Sequence, residues 1–135
     1  MNLNTSNGKL VGFHDNFVNQ GSDDIPWAQF DAQAYGQREL ERGRRAWLLR
    51  TMDEYRSMLG FSELQHVAAE LHAPLDVISC AGRVVRDEIR HVELCGKMLA
   101  LLGGRQGCRR EPNWVKTNPK MALKLRALHH AVGSC

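Results

Sequence analysis

Two long stretches of apolar residues at helical spacing, separated by Pro74, constrain the fold of this chain more than any other feature. Within each stretch the apolar residues recur largely at intervals of three and four, which predicts two amphipathic helices with broad apolar stripes. Gly60 is a point in the first helix at which a kink or break is expected to be least costly. The first stripe comprises Ala46, Leu48, Leu49, Met52, Tyr55, Met58, Leu59, Phe61, Leu64, Val67, Ala68 and Leu71. The second comprises Val77, Ile78, Ala81, Val84, Val85, Ile89, Val92, Leu94, Met98, Leu99 and Leu102.

The ends of the two predicted helices indicate how they are connected. Pro74 disfavours helical geometry at Ala73, so the first helix, which begins near Arg38, is expected to end just before it. Gly103 and Gly104 form a strong stop for the second helix. Two long helices joined by about three residues form most naturally an antiparallel hairpin. No alternating run of Val, Ile or Thr predicts a strand, so we expect an all-α protein.

The flanking segments differ in composition from the hairpin. Residues 1–26 are rich in Asn, Gly, Ser and Asp and are interpreted as a loosely ordered arm. Residues 27–104 are assigned to the hairpin. Residues 105–135 are predicted to form a basic loop and the start of a third helix, which the sequence cuts off at "HHAVGSC". With 135 residues the chain is one domain or a piece of one, and we expect this domain to be incomplete.

The compartment is predicted from the apolar runs and the cysteines. The chain has neither a signal-peptide pattern nor a stretch approaching about 18 apolar residues, so we expect a soluble, cytoplasmic protein with no membrane partner. None of the four cysteines belongs to a CxxC pair, which favours free, reduced thiols over disulfides or a zinc site. These cysteines are Cys80, Cys95, Cys108 and Cys135.

Basic residues are concentrated in two places. Between residues 105 and 126 there are seven basic side chains and one acidic one, without a recognised nucleic-acid-binding motif. A solvated face or a surface for an acidic partner is therefore favoured over nucleic-acid binding. The run "RELERGRR" at residues 38–45 is interpreted as an exposed helix start held by salt bridges.

Three side chains of the hairpin form a candidate metal site. Glu88 and His91 lie three residues apart, so they share one face of the second helix. In the first helix Asp53 and Glu54 are adjacent, so one of them is expected to point inward. If the turn centres near Ala73, Glu54 lies nineteen residues before it and Glu88 fifteen residues after it. At about 1.5 Å per residue these levels differ by only a few ångströms, so Glu54 can face the pair.

The stretches "MDEYRSMLGF" and "RDEIRHVELC", with Pro74 at the turn between them, resemble the first half of a ferritin-like di-iron carboxylate protein. That family builds its site in a four-helix bundle, in which two helices each supply one Glu and two each supply Glu-x-x-His. The resemblance covers roughly residues 38–104 and implies that the chain forms half of such a bundle. It implies that Glu54 is the lone glutamate, Glu88 the bridging carboxylate and His91 the imidazole ligand.

The chain departs from the family pattern after Gly104. A complete dinuclear site needs a second Glu and a second Glu-x-x-His, yet the only later acid is Glu111, and residues 115–135 contain no carboxylate side chain. Two explanations remain open. The chain is an amino-terminal portion whose carboxyl-terminal half is missing, or two copies pair about a two-fold axis, as in encapsulated ferritins. We expect a homodimer where the missing half is absent.

The resemblance implies iron as the cofactor, with two ions per completed site and manganese as a further candidate. The implied activity is that of an oxidoreductase handling dioxygen or peroxide, and it requires a completed site. Iron storage, peroxide removal and substrate oxidation all remain open as the outcome. The alternative hypothesis is a helical interaction or assembly module without catalytic metal chemistry. Of the other polar residues, His66 and His72 are expected at the surface, and Asp87 is expected to pair with an arginine or to support His91.

Overall fold

The computed structural model of the chain describes residues 9–20 and 24–104. About 84% of these residues are helical, and no strand occurs among them, which confirms the all-α prediction at this level. Within these ranges the chain forms three α-helices: α1 (Lys9–Asn19), α2 (Gln37–Glu70) and α3 (Leu75–Leu101). Two short 3-10 helices, Trp27–Gln29 and Ala32–Ala34, precede α2. The third helix that is predicted to begin after the hairpin falls in residues 105–135, outside the described ranges.

At the start of helix α2, both the carbonyl and the amide of Gly36 form hydrogen bonds. The carbonyl of Gly36 accepts hydrogen bonds from the amides of Glu39 and Leu40, both at 3.0 Å. The Glu39 carboxylate accepts one in return from the Gly36 amide at 2.9 Å. The bond from the Gly36 amide to Glu39 is one half of a capping box; the other half is absent because glycine has no side chain to accept from the Glu39 amide. From there α2 continues to Glu70 without a break at Gly60.

The turn between α2 and α3 closes with a left-handed residue that is not a glycine. His72 has φ 54°, and its amide donates to the carbonyl of Ala69 at 3.0 Å. The next amide, that of Ala73, reaches back to the carbonyl of Ala68 at 2.9 Å. These two bonds define a Schellman motif, which satisfies the last carbonyls of α2. Pro74 follows, and its carbonyl accepts the first bonds of α3. The predicted turn at this proline is therefore confirmed.

At the carboxyl end of α3 the left-handed residue that ends the helix is a glycine. Gly103 has φ 75°, a backbone conformation that costs glycine little because it has no Cβ. Gly104 then donates to a carbonyl in the last turn of α3 at 2.9 Å. The side chain of Arg44 donates to the carbonyl of Leu102 at 3.1 Å, so a cation lies where the helix dipole favours positive charge. The predicted stop at the two glycines is confirmed.

The chain divides into two compact units, each of which combines parts of α2 and α3. The first unit is Met1–Met52 with Arg90–Arg110, and the second is Asp53–Ile89 with Glu111–Cys135. In the described part of the first unit the buried residues are Thr51, Met52, Val92, Cys95, Gly96, Leu99 and Leu102. In the described part of the second unit they are Glu54, Gly60, Val67, Ala68 and Ala81. Most of these positions belong to the stripes predicted from the sequence.

Helix α1 occupies Lys9–Asn19, within the segment 1–26 that is predicted to be a loosely ordered arm, and residues 1–8 and 21–23 of that segment lie outside the described ranges. Val11, His14, Phe17 and Val18 are partly buried and lie at helical intervals, a pattern that the surrounding Asn, Gly and Asp residues obscure in the sequence. The imidazole Nε2 of His14 lies 3.1 Å from a carboxylate oxygen of Glu93 in α3. Both residues belong to the first unit, so this contact joins its two chain segments.

No helix in the described ranges combines the length and the apolar character that are needed to cross a membrane. Cys80 is exposed and Cys95 is buried, and neither forms a disulfide with another described residue, as predicted. Cys108 and Cys135 lie outside the described residues.

Candidate metal site

Glu54 is a carboxylate in the buried stripe of α2. Only 7% of its surface is exposed, and Thr51, one turn earlier, is fully buried. The neighbouring Asp53 is exposed, and its carboxylate accepts a hydrogen bond from Arg56 at 2.8 Å. Of the two adjacent acids, Glu54 is therefore the one that points inward. A charged side chain in such a position is costly unless it meets a partner of opposite charge or a metal ion.

Glu88 occupies the corresponding stripe of α3. It lies seven residues after Ala81 and four before Val92, both of which are buried, so the three share one helical face. Glu88 itself is half-buried. Glu54 and Glu88 both belong to the second unit and come from its two different helices. The hairpin register inferred from the turn thus agrees with the structure.

His91 follows Glu88 by three residues in the same uninterrupted helix. The two side chains therefore lie on adjacent turns of one face. His91 is exposed, whereas Glu88 is half-buried and Glu54 is buried. The exposure of the three potential ligands therefore increases from Glu54 to Glu88 to His91, and an ion can enter from the solvent side at His91.

The ligand atoms of these three residues lie together. One carboxylate oxygen of Glu54, one of Glu88 and one ring nitrogen of His91 are all within 4.8 Å of one another. No other group of three His, Cys, Asp or Glu residues in the described ranges meets this condition. Oxygen and nitrogen ligands bind a transition metal at about 2.0–2.2 Å, so two of them on one ion lie at most about 4.4 Å apart. Small side-chain rotations are enough to bring all three onto one ion.

The charges of the three groups suit a divalent cation. Two carboxylates this close repel each other, and a cation between them replaces that repulsion with attraction. One imidazole with two carboxylates is a mixed nitrogen and oxygen set of the kind that iron, manganese and zinc accept. Three protein ligands also leave coordination positions open, as in catalytic metal sites. The donor set is therefore one that a divalent transition metal accepts, and iron as the ion stays a prediction.

Other polar residues that the sequence singled out lie elsewhere. The imidazole of His66 is 3.5 Å from the carboxylate of Glu70, and both side chains are exposed. His72 is the left-handed residue of the turn. The carboxylate of Asp87 lies 3.9 Å from Arg83, so of its two predicted roles the structure shows the pairing with an arginine. None of these residues belongs to the three-residue group.

Several polar contacts had little or no indication in the sequence. Thr51 donates its hydroxyl to the carbonyl of Trp47 at 2.7 Å and so satisfies itself inside the helix. A threonine within an apolar stripe, one turn before a buried carboxylate, is the only hint that the sequence offers. The contact between His14 and Glu93 joins residues 79 positions apart, which no local pattern reveals.

Comparisons with known proteins give no match: no protein-family model, no curated protein and no solved structure is similar to this chain.

Proposed function

We propose that the chain is a ferritin-like metal-binding protein whose ligands are Glu54, Glu88 and His91. The observation that carries the proposal is the placement of three ligand atoms within 4.8 Å of one another, one of them from a buried carboxylate. A Glu and a His at helical spacing are common by themselves. A third, buried ligand from the facing helix of the hairpin is not expected by chance, because burial of an isolated carboxylate is costly.

Each ligand has a separate task in the proposed site. Glu54, which is 7% exposed, would hold the ion at its buried end. Glu88, half-buried, would be the second carboxylate ligand, and His91 would supply the nitrogen at the exposed end. When bound, a pair of iron ions, or iron with manganese, would supply the electrons for reactions of dioxygen or peroxide. We therefore propose oxidoreductase chemistry for the completed site only.

Completion of the site requires a second set of ligands. The described residues offer one Glu from one helix and one Glu-x-x-His from the other, which is half of the family's set. We propose that a second copy of this chain supplies the other half about a two-fold axis. Such an interface is self-complementary, so each copy would contribute the same three residues. Sequence following residue 135 is the alternative source of the missing ligands.

The test is an anaerobic titration of the purified chain with ferrous iron, combined with a measurement of its mass in solution. We expect about one ion per chain in a dimer, because two copies would share a two-metal site. The variant Glu88→Ala, His91→Ala should lose this binding. The matched control is His66→Ala, Glu70→Ala, which removes the same residue types from an exposed pair and should bind as the wild type does. Equal binding by both variants would refute the proposed ligands.

A second candidate function is a helical assembly module. Several large apolar side chains are exposed, including Leu75 at the first turn of α3 and Leu59 on α2. If the folded wild-type chain forms a dimer that binds no iron at any iron concentration tested, this function would be favoured. In that case the three clustered residues would serve only the packing of the hairpin.

A further inference from the structure

Three arginines form a row on the exposed side of α2 near its start. Arg38, Arg42 and Arg45 are all exposed, and successive members lie four and three residues apart. On a helix this spacing places them along one line, with rises of about 6 Å and 4.5 Å between them. Leu49, which is 48% exposed, continues the same line. We call these three residues the arginine row.

The structure does not contain the salt bridges that the sequence predicted for this segment. Within residues 9–20 and 24–104, none of the three arginines forms a hydrogen bond or an ion pair. The two nearby acids offset part of the charge of the row, but in the described ranges they form no ion pair with its guanidinium groups. Glu39 is engaged with the Gly36 amide, and Glu41 is exposed and likewise unpaired in the described ranges. Three guanidinium groups are thus presented to solvent.

The row is bounded on both sides. Arg44, between two of its members, points elsewhere and donates to the carbonyl of Leu102. Further along the same line of α2, Asp53 and Arg56 pair with each other at 2.8 Å and cancel their charges. The unbalanced positive charge is therefore confined to the first three turns of the helix.

We propose that the arginine row binds the phosphate backbone of a nucleic acid. Guanidinium groups bind phosphate oxygens in a bidentate manner, and three in line can contact successive phosphates. The formal net charge of the whole chain is +3. This value includes the seven basic side chains and one acid of residues 105–126, and a positive net charge favours attraction to a polyanion. No base-reading motif accompanies the row, so binding should be independent of sequence.

Two other anionic partners fit the row less well. A helix that lies on a membrane needs an apolar face, and Leu49 is the only large apolar side chain among the exposed residues from 38 to 49. A protein partner would have to offer acidic side chains along the row, and Leu49 is the only large apolar side chain exposed there for the centre of such an interface. Interfaces with nucleic acids are polar and strongly positive, as this surface is.

The experiment measures the affinity for a random-sequence DNA duplex as a function of salt concentration. For three phosphate contacts the logarithm of the binding constant should fall with the logarithm of salt concentration with a slope of about −2.7 from the row alone. The variant Arg42→Gln, Arg45→Gln should lose about 1.8 of the total slope. The control Arg56→Gln, Arg83→Gln removes the same charge from exposed arginines that are paired with acids, and it should change the slope much less.

Two results would overturn the proposal. One is equal loss of slope in both variants, which would mean that only net charge matters. The other is the absence of duplex binding by the folded wild type at low salt, including the case in which it binds vesicles of anionic lipid instead. Circular dichroism of each variant checks that the helices persist. The assay requires no metal, so its outcome is independent of the proposed metal site.

Discussion

Two pairs of Glu and His, three residues apart in α3 and four residues apart in α2, differ in their surroundings. Glu88 and His91 lie one turn apart on α3, and His66 and Glu70 lie one turn apart on α2. The side chains of His66 and Glu70 are 65% and 42% exposed, and they interact mainly with each other at 3.5 Å. Glu88 and His91 instead form a cluster with the buried Glu54. The pairs have the same residue types, so the difference lies in what faces them.

The comparison indicates that a third residue distinguishes the candidate site from an ordinary pair at helical spacing. The side chains of an exposed pair are hydrated, so replacing that water with a metal ion contributes little binding free energy. At Glu88 and His91 the facing carboxylate is already held close and partly dehydrated, so less ordering remains to be done on binding. Glu54 is therefore the residue on which the difference between the two pairs depends.

The largest expected effect comes from removing the charge of that third residue. In the wild type, ferrous iron at 100 times its dissociation constant should raise the free energy of unfolding by about 2.7 kcal/mol, because the ion binds only the folded state. In Glu54→Gln, a substitution of similar size, this metal-dependent increase should disappear. Thermal or urea unfolding with and without metal, under anaerobic conditions, measures it. A full increase in the variant would mean that Glu54 is not a ligand.

A smaller effect is expected from a residue next to the exposed pair. Val67 follows His66 in α2 but is fully buried. We expect Val67→Ala to lower the free energy of unfolding by about 2 kcal/mol, because it removes buried methyl groups and leaves a cavity. Urea unfolding of the metal-free protein measures this loss. A change below about 0.5 kcal/mol, typical of surface positions, would show that this face of α2 is not packed as described.

The smallest effect is expected from the exposed pair itself. His66→Ala should change the free energy of unfolding by less than about 0.5 kcal/mol, since exposed ion pairs within a helix contribute little. The same substitution should leave the metal-dependent increase in stability intact. Any dependence on His66 should weaken further at 1 M salt, where charges are screened within about 3 Å. A loss of metal-dependent stability in this variant would remove the distinction between the two pairs.

The fold of the hairpin was predictable because its determinants are local. The stripes around Val67 and Val92 follow the helical period, and Pro74 and Gly103 act on their own immediate backbone. The inward placement of Glu54 followed from the same stripe combined with helix rise and the position of the turn. The left-handed His72 was not anticipated, because glycine is the usual residue there and the sequence offers none at the turn.

Other features depend on contacts that no local pattern encodes. Helix α1 packs through His14 against Glu93, and its composition alone suggested a disordered arm. The segment at residues 38–45 has charges spaced for salt bridges within the helix, yet the structure uses Glu39 as a cap and Arg44 at the end of α3. In the segment at residues 38–45, a backbone amide and a helix end thus take the side chains that sequence spacing assigns to salt bridges.

The most direct test of the central claim is the paramagnetic effect of Mn²⁺ on the histidine ring signals in the NMR spectrum of the folded chain. An unpaired-electron centre broadens nearby resonances, so a bound ion identifies the histidine beside it. We predict that substoichiometric Mn²⁺ removes the ring signals of His91 first, while those of His66 and His72 persist, and that Glu54→Gln abolishes this selectivity. Equal broadening of His66 and His91 would contradict the claim that Glu54, Glu88 and His91 form a metal site.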